Sequence, residues 1–384
     1  MILSVRSLVP LLLSGAPVFA GSPGTLPVVR EWAPARVSDD RAEDDAAAAP
    51  GESTLGRGRL EPGLEDAADR ALQAGLAYLA RRQAEGVDGS FPSEAYENAP
   101  VGITALAALA FMAAGNSPGR GPYGKELARA IDYLLSKTDL APESPTRGYI
   151  RAGNDKSRTH GHGFATLVLA EAHGMSPGRS QRVARALEAA VRLIERSQGA
   201  EGGWEYEPRA IAAHEGSVTV CLVQALRAAR NSGIQVDVGV IRRAEDYVKR
   251  LQKDDGTFRY ELGSPESTVA LTAAAVSTLN MVGRYDGSVV QNAIDAIWSG
   301  MDESGNADEG RFPYYRRLYI AQAFWQLSDT SHFERWFEAE LPRLVRSQEA
   351  DGSWRERSYG DCYATAINCL VLAIPEGLLP IFQR

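Results

Sequence analysis

Several kinds of site are hard to build from this sequence. Its 384 residues hold three cysteines, too few for a disulfide framework. Cys221, Cys362 and Cys369 all sit in apolar runs, where a thiol packs as a small hydrophobe. There is no excess of positive charge: 41 Lys and Arg stand against 49 Asp and Glu, a formal charge of -8. No basic stripe is interleaved with aromatics, so nucleic acid is not expected as a partner. A long uninterrupted apolar run is also missing. The apolar stretch from Leu8 to Phe19 is short and broken by Pro10 and Pro17, which is poor material for a membrane span.

That stretch reads instead as part of a signal peptide over residues 1–20. Arg6 supplies the positive start, and Val18 and Ala20 stand at the two positions a signal peptidase inspects. The protein is therefore expected to be exported, periplasmic or extracellular, with no transmembrane domain in the mature chain. Residues 21–60 are expected to form a flexible leader, being rich in Pro, Gly, Ser and Ala, with an acidic cluster at Asp39, Asp40, Glu43, Asp44 and Asp45. The folded domain is expected over 61–384, and the 44% apolar content is enough to build one large core.

What the domain has in abundance is repetition. An amphipathic helical segment, a Gly-containing loop and a more uniformly apolar helical segment recur six times from Asp66 onward. Three loops fit the pattern Gln-x-x-x-Gly-x-aromatic: Gln198, Gly202 and Trp204; Gln252, Gly256 and Phe258; Gln348, Gly352 and Trp354. The first copy, Gln83 followed by Gly89-Ser90-Phe91, is two residues longer. The second keeps only Arg147-Gly148-Tyr149, and the fifth is blurred between Asp302 and Phe312. A period near 50 residues is room for two helices and their connections.

The segments before the loops carry a single apolar stripe. Leu72, Leu76 and Leu79 form one, Val183, Leu187, Val191 and Ile194 another, and Ile241, Ala244, Val248 and Leu251 a third. Such helices keep a wet side and belong outside. The segments after the loops, such as Val101 to Ala113 and Ala364 to Ala373, are apolar nearly all round and belong inside. The last inner segment is as apolar as the central ones, and the chain finishes in Leu378-Leu379-Pro380-Ile381-Phe382. An open solenoid would end in polar caps, so closure into a ring is expected. The loops then act as staples between repeats: Gly allows close approach or a positive φ, the aromatic covers a seam, and Gln satisfies bare backbone groups.

These features resemble the superfamily of terpenoid cyclases and protein prenyltransferase β subunits, over roughly Asp66 to Phe382. The resemblance rests on the Gln198 to Trp204, Gln252 to Phe258 and Gln348 to Trp354 copies and on the paired-helix layout. It implies an all-α fold, an α/α toroid of six helical hairpin repeats around a central cavity. It does not supply a reaction. The cyclases' Asp-x-Asp-Asp-Thr-Ala segment is met here only by Pro265-Glu266-Ser267-Thr268-Val269-Ala270, with one carboxylate. The Asp-x-Cys-Tyr of the zinc-dependent transferases is approached by Gly360-Asp361-Cys362-Tyr363, with the acid misplaced and no histidine after His332. No metal or cofactor is expected.

The remaining candidates lie at inner-helix starts, where a polar mouth above an apolar cavity would form. They are His160, His162, Glu215, Glu266, Asp361 and Tyr363, with Arg316 and Arg317 nearby. Imidazoles there suit proton or metal work; packing is the alternative for His162, and helix capping for Glu215, Glu266 and Asp361. The expected function is a ring-shaped binding or interaction module for a hydrophobic small molecule or peptide. The alternatives are a lipid- or isoprenoid-transforming enzyme working at the rim, and a carbohydrate-active enzyme.

Overall fold

Apolar residues at helical spacing, punctuated by glycine, fold into alternating outer and inner helices. The computed structural model describes residues 63–93, 98–176, 178–211, 214–283, 287–301 and 312–383. The expected signal peptide, the leader and most of the fifth loop lie outside these residues. The outer helices are α1 (Leu64–Ala84), α3 (Gly124–Ser136), α5 (Ser180–Ser197), α7 (Val238–Arg250), α9 (Ser288–Ser299) and α11 (Ser331–Arg346). The inner helices are α2 (Pro100–Ala113), α4 (Arg158–Ala172), α6 (Gly216–Asn231), α8 (Val269–Met281), α10 (Pro313–Trp325) and α12 (Asp361–Ala373).

Each inner helix packs on the next, α2 on α4, α4 on α6 and so on round to α10 on α12, and α12 packs back on α2. The first outer helix, α1, lies against α12 and α11. The architecture is therefore a closed α/α toroid. Burial follows the division: every residue of α2 from Val101 to Ala113 is buried, whereas α5 buries only one stripe that includes Val183, Leu187, Val191 and Ile194.

The loops show how the ring is stitched. Gln83, Gln198, Gln252 and Gln348 each donate through Nε2 to the carbonyl of their own loop glycine, Gly89, Gly202, Gly256 and Gly352. Each also donates to a carbonyl of the next outer helix, in the first turn on Glu126, Val240 and Val289 and further along α1 on Ala71. The loop glycines, with Gly148, have φ between +81° and +99°. A Cβ on any of the five would fall 2.0–2.5 Å from a carbonyl oxygen of that neighbouring helix. Glycine is thus required twice, for the left-handed backbone and for the close approach. Trp204 and Trp354 are buried, and their Nε1 groups donate to Ile194 and Leu344 carbonyls at 2.8 and 2.9 Å.

A second ladder runs inside. The backbone N–H of Phe91, Trp204, Phe258 and Trp354 donates to a threonine hydroxyl on the following inner helix: Thr104, Thr219, Thr272 and Thr365. In the second repeat Ile150 N–H donates to His162 Nδ1 at 3.3 Å. The residue in the aromatic register of that loop is therefore Ile150 rather than Tyr149.

Polar side chains also span part of the interior. Gln224 of α6 donates to Gln322 of α10 at 2.9 Å, and Ser277 of α8 reaches Gln322 and Gln326. Beyond this network the C-terminal segment crosses the ring. Ile381 accepts a bond from Gln326 Nε2, Phe382 accepts one from Trp325 Nε1 at 2.8 Å, and residues 380–382 pack on α6. The C-terminal mouth of the ring is plugged by the chain itself. An apolar central cavity was the expectation; a hydrogen-bonded layer and a C-terminal plug occupy this half of the interior instead.

Candidate functional site

The inner helices run in one direction, so their N-terminal ends share the other mouth. Glu215 is the N-cap of α6, accepting from the backbone N–H groups of Ser217 and Val218 at 2.9 and 2.8 Å and from the Ser217 hydroxyl at 2.6 Å. Burial pushes its carboxyl pKa up, and these donors pull against that shift. His160, on the first turn of α4, places Nε2 2.9 Å from Ser217 Oγ. The result is a connected chain, His160 to Ser217 to Glu215, between two neighbouring helices. Desolvation lowers the His160 pKa to about 4, so the imidazole is neutral and its Nε2–H donates to Ser217 while the serine hydroxyl donates to Glu215.

Tyrosines surround this chain. The Tyr206 ring lies 5.7 Å from the His160 ring, and the Tyr206 and Tyr260 hydroxyls are in contact beside Glu215. Burial, followed by the Glu215 charge, pushes Tyr206 up to about 12. Tyr363 of α12 packs on Tyr359 and Tyr314, with ring centroids 5.1 and 6.1 Å away. Deeper on α10, the Tyr315 and Tyr319 rings are 4.5 Å apart. Tyr319 is fully buried, and the two hydroxyls face one another with no other hydrogen-bond partner among the described residues. A small opening of about 20 Å³, walled by Phe312, Tyr314, Glu356, Tyr359 and Tyr363, remains at this mouth.

The structure separates the sequence candidates. His160, Glu215 and Tyr363 lie at the mouth. His162 is buried one turn inside α4 as the acceptor for Ile150 N–H, and burial takes its pKa down to about 3. Asp361 begins α12, accepts from Glu356 N–H at 2.9 Å and pairs with Arg355 at 2.6 Å. Glu266 is exposed in the turn before α8, whose N-cap is Thr268, so it does not stand at a helix start. Arg317 is turned to Glu340 of α11 and to Asn368. Cys221, Cys362 and Cys369 are buried free thiols. Among the described residues no three His, Cys, Asp or Glu side chains converge as a metal site would require.

Sequence reasoning passed over Ser217, Tyr206, Tyr260 and Tyr319. Ser217 follows Glu215 by two residues, but its link to His160 spans 57 positions. Only superposing the repeats would have suggested it, since both residues stand at inner-helix starts.

No protein-family model and no curated protein sequence matches the chain. Solved structures do. The type II terpene cyclase MstE from Scytonema superposes with a TM-score of 0.54 at 16% identity, covering 82% of this chain and 100% of its own. A variant of that cyclase in complex with geranylgeranyl dihydroxybenzoate gives 0.55 at 16%, covering 81% and 98%. A glycosidase variant in complex with glucose gives 0.57 at 15%, covering 84% and 100%. The fold is thus the α/α toroid that these solved structures share. Glu266, the one carboxylate of the Pro265 to Ala270 segment, is exposed. No helix among the described residues is long and apolar enough to cross a membrane.

Proposed function

We propose that the chain is an exported, ring-shaped binding module that takes a small ligand at the tyrosine-lined mouth formed by the inner-helix N-termini. The ligand has an apolar face and hydrogen-bonding groups at its edge. The observation that carries this is the pair of buried hydroxyls on Tyr315 and Tyr319, which have no partner among the described residues beyond one another. An unmet buried hydroxyl costs about 1–3 kcal/mol, and a ligand oxygen would recover that cost. Above them at the mouth, the rings of Tyr314, Tyr359 and Tyr363 offer faces for stacking. Glu215 and Asp361 are committed to a helix cap and an arginine, which favours binding over proton chemistry. Geranylgeranyl dihydroxybenzoate, bound by the MstE variant, and glucose, bound by the glycosidase variant, both combine apolar faces with hydroxyl groups.

The test is a tyrosine and tryptophan fluorescence titration with geranylgeranyl compounds and with glucose oligomers. Saturable binding by one class is expected, weakened about fivefold in Tyr319→Phe, consistent with one lost hydrogen bond. Absence of binding by both classes, or full retention in Tyr319→Phe, overturns the reading.

The His160–Ser217–Glu215 chain favours a second reading, a hydrolytic enzyme acting on a lipid or sugar conjugate. Ser217 Oγ would attack the ester carbonyl carbon of such a conjugate while Glu215 takes its proton; the C–O bond to the alcohol breaks as Glu215 returns the proton to that leaving oxygen, and water then hydrolyses the acyl-serine to acid and free Ser217, with His160 orienting the serine. Turnover abolished in Ser217→Ala, with the fold retained, would establish it over the first; no turnover by the wild-type protein across both substrate classes would remove it.

A further inference from the structure

The loops of the toroid carry an internal comparison. The residue before each loop glycine is Asp88, Glu201, Asp255 or Asp351 in four of the described copies, and Arg147 in the second. In the third copy Glu201 pairs with Arg250 of α7 at 2.6 Å, and Arg250 also donates to the Glu201 carbonyl. In the second copy the equivalent helix arginine is Arg196 of α5. It makes the same bond to the loop carbonyl, here of Arg147, yet the side chain facing it is a second guanidinium. Mutual repulsion with Arg147 contributes to a lowered Arg196 pKa after desolvation. One repeat has therefore exchanged an ion pair for two like charges.

This reversal sits in a groove. Arg185, Arg192 and Arg196 are 7 and 4 residues apart on α5, so they line one face of the helix, about 10 Å and 6 Å apart along its axis. The second loop leans on that helix through Gly148, whose added Cβ would meet the Ala189 carbonyl at 2.0 Å, and this brings Arg147 to the row. Ile234 and Gln235, after α6, form the other wall of a groove of about 440 Å³. That volume is in the range of small-molecule sites. Arg192 pairs with Glu195 at 2.6 Å. Arg147 donates to the Leu140 carbonyl and Arg196 to the loop; the carboxylate acting on both is Asp139, which accepts from Ala141, Ser144 and Thr146 rather than pairing with either, and Arg185 pairs with no carboxylate among the described residues. Compensation of the helix dipole explains Arg196 in the last turn, but not Arg185 in the middle of the helix or Arg147 on a loop. Glu188 is the one carboxylate that lines the groove.

We propose that this groove on the outside of the second repeat is a binding site for a small organic molecule carrying two or more oxyanion groups. Guanidinium forks donate to carboxylate, sulfate or phosphate oxygens in pairs, and the row of charges fits separated anionic groups rather than one. The site lies on the outer wall of the ring and is independent of the tyrosine-lined mouth.

The full-length protein is titrated calorimetrically at low salt with citrate, tripolyphosphate and sucrose octasulfate, which separate carboxylate, phosphate and sulfate ligands. At least one should bind saturably with Kd below about 1 mM, an affinity a few charge-assisted bonds can supply. Arg147→Glu recreates the Glu201–Arg250 arrangement, so it should fold with an unchanged or raised Tm while weakening binding at least about tenfold. Arg242→Glu, on the exposed face of α7, makes the same change in net charge outside the groove and should bind like wild type. No saturable binding by any of the three probes overturns the proposal. Equal weakening by Arg147→Glu and Arg242→Glu also overturns it, since that outcome reports bulk charge alone.

Discussion

His162 Nδ1 accepts the backbone N–H of Ile150 at 3.3 Å, the bond that Thr104, Thr219, Thr272 and Thr365 make in four other repeats. The histidine replaces a repeated threonine and is buried for that reason. His162→Thr should retain the fold, whereas His162→Ala strands the Ile150 N–H and should cost about 1–3 kcal/mol. Urea unfolding of the two variants checks the order; equal losses would show that the acceptor contributes nothing.

The same residue has a pH signature. Its folded pKa, about 3, lies below the ordinary value of 6.5, so the unfolded chain binds the proton more readily. The stability contributed by neutral His162 is complete above about pH 6.5 and declines as pH falls towards 3. His162→Thr should flatten this part of the stability curve.

Glu171, at the end of α4, works in the opposite sense. Burial raises its pKa to about 7, and a hydrogen bond from the Ile381 backbone opposes the rise. The carboxyl is protonated in both states below about pH 4.5, and stability is lost as pH rises from there through 7. Glu171→Gln keeps an acceptor for Ile381 and should gain on the order of 3 kcal/mol at pH 8, with no gain at pH 4. Thermal unfolding at the two pH values is the measurement.

Gly352 and Gly119 both have positive φ, +89° and +80°. A Cβ on Gly352 would stand 2.4 Å from the Ala74 carbonyl oxygen, while one on Gly119 meets nothing within 4 Å. Gly119→Ala should cost about 1 kcal/mol for backbone strain, and Gly352→Ala considerably more, because it forces α1 away from the closing loop. Comparable Tm changes would mean that the closure tolerates displacement.

Deletion of residues 378–384 removes the partners of Trp325 and Gln326 and uncovers the buried Leu379, Ile381 and Phe382 contacts. The truncated protein should bind a hydrophobic dye that the full chain does not, with a lower Tm. Unchanged dye binding would show that the segment is not a plug.

The sequence by itself determined the helices, their inner and outer placement and the recurrence of the loops, because each is encoded in spacings of a few residues: the stripe of Val183, Leu187, Val191 and Ile194, or Gln348, Gly352 and Trp354 on one turn. Closure was readable from the apolar ends of the domain. The tertiary structure alone decided which polar groups meet. His160 and Ser217, Gln348 and Ala71, and Arg147 and Arg196 are brought together from separations of 57, 277 and 49 residues, which depend on how whole helices stack. For the same reason the interior glutamines found one another and the last residues found the ring's open end. Buried polar groups must be satisfied by whatever the packing brings within reach, and that reach is set by the closed ring, not by neighbours in the chain.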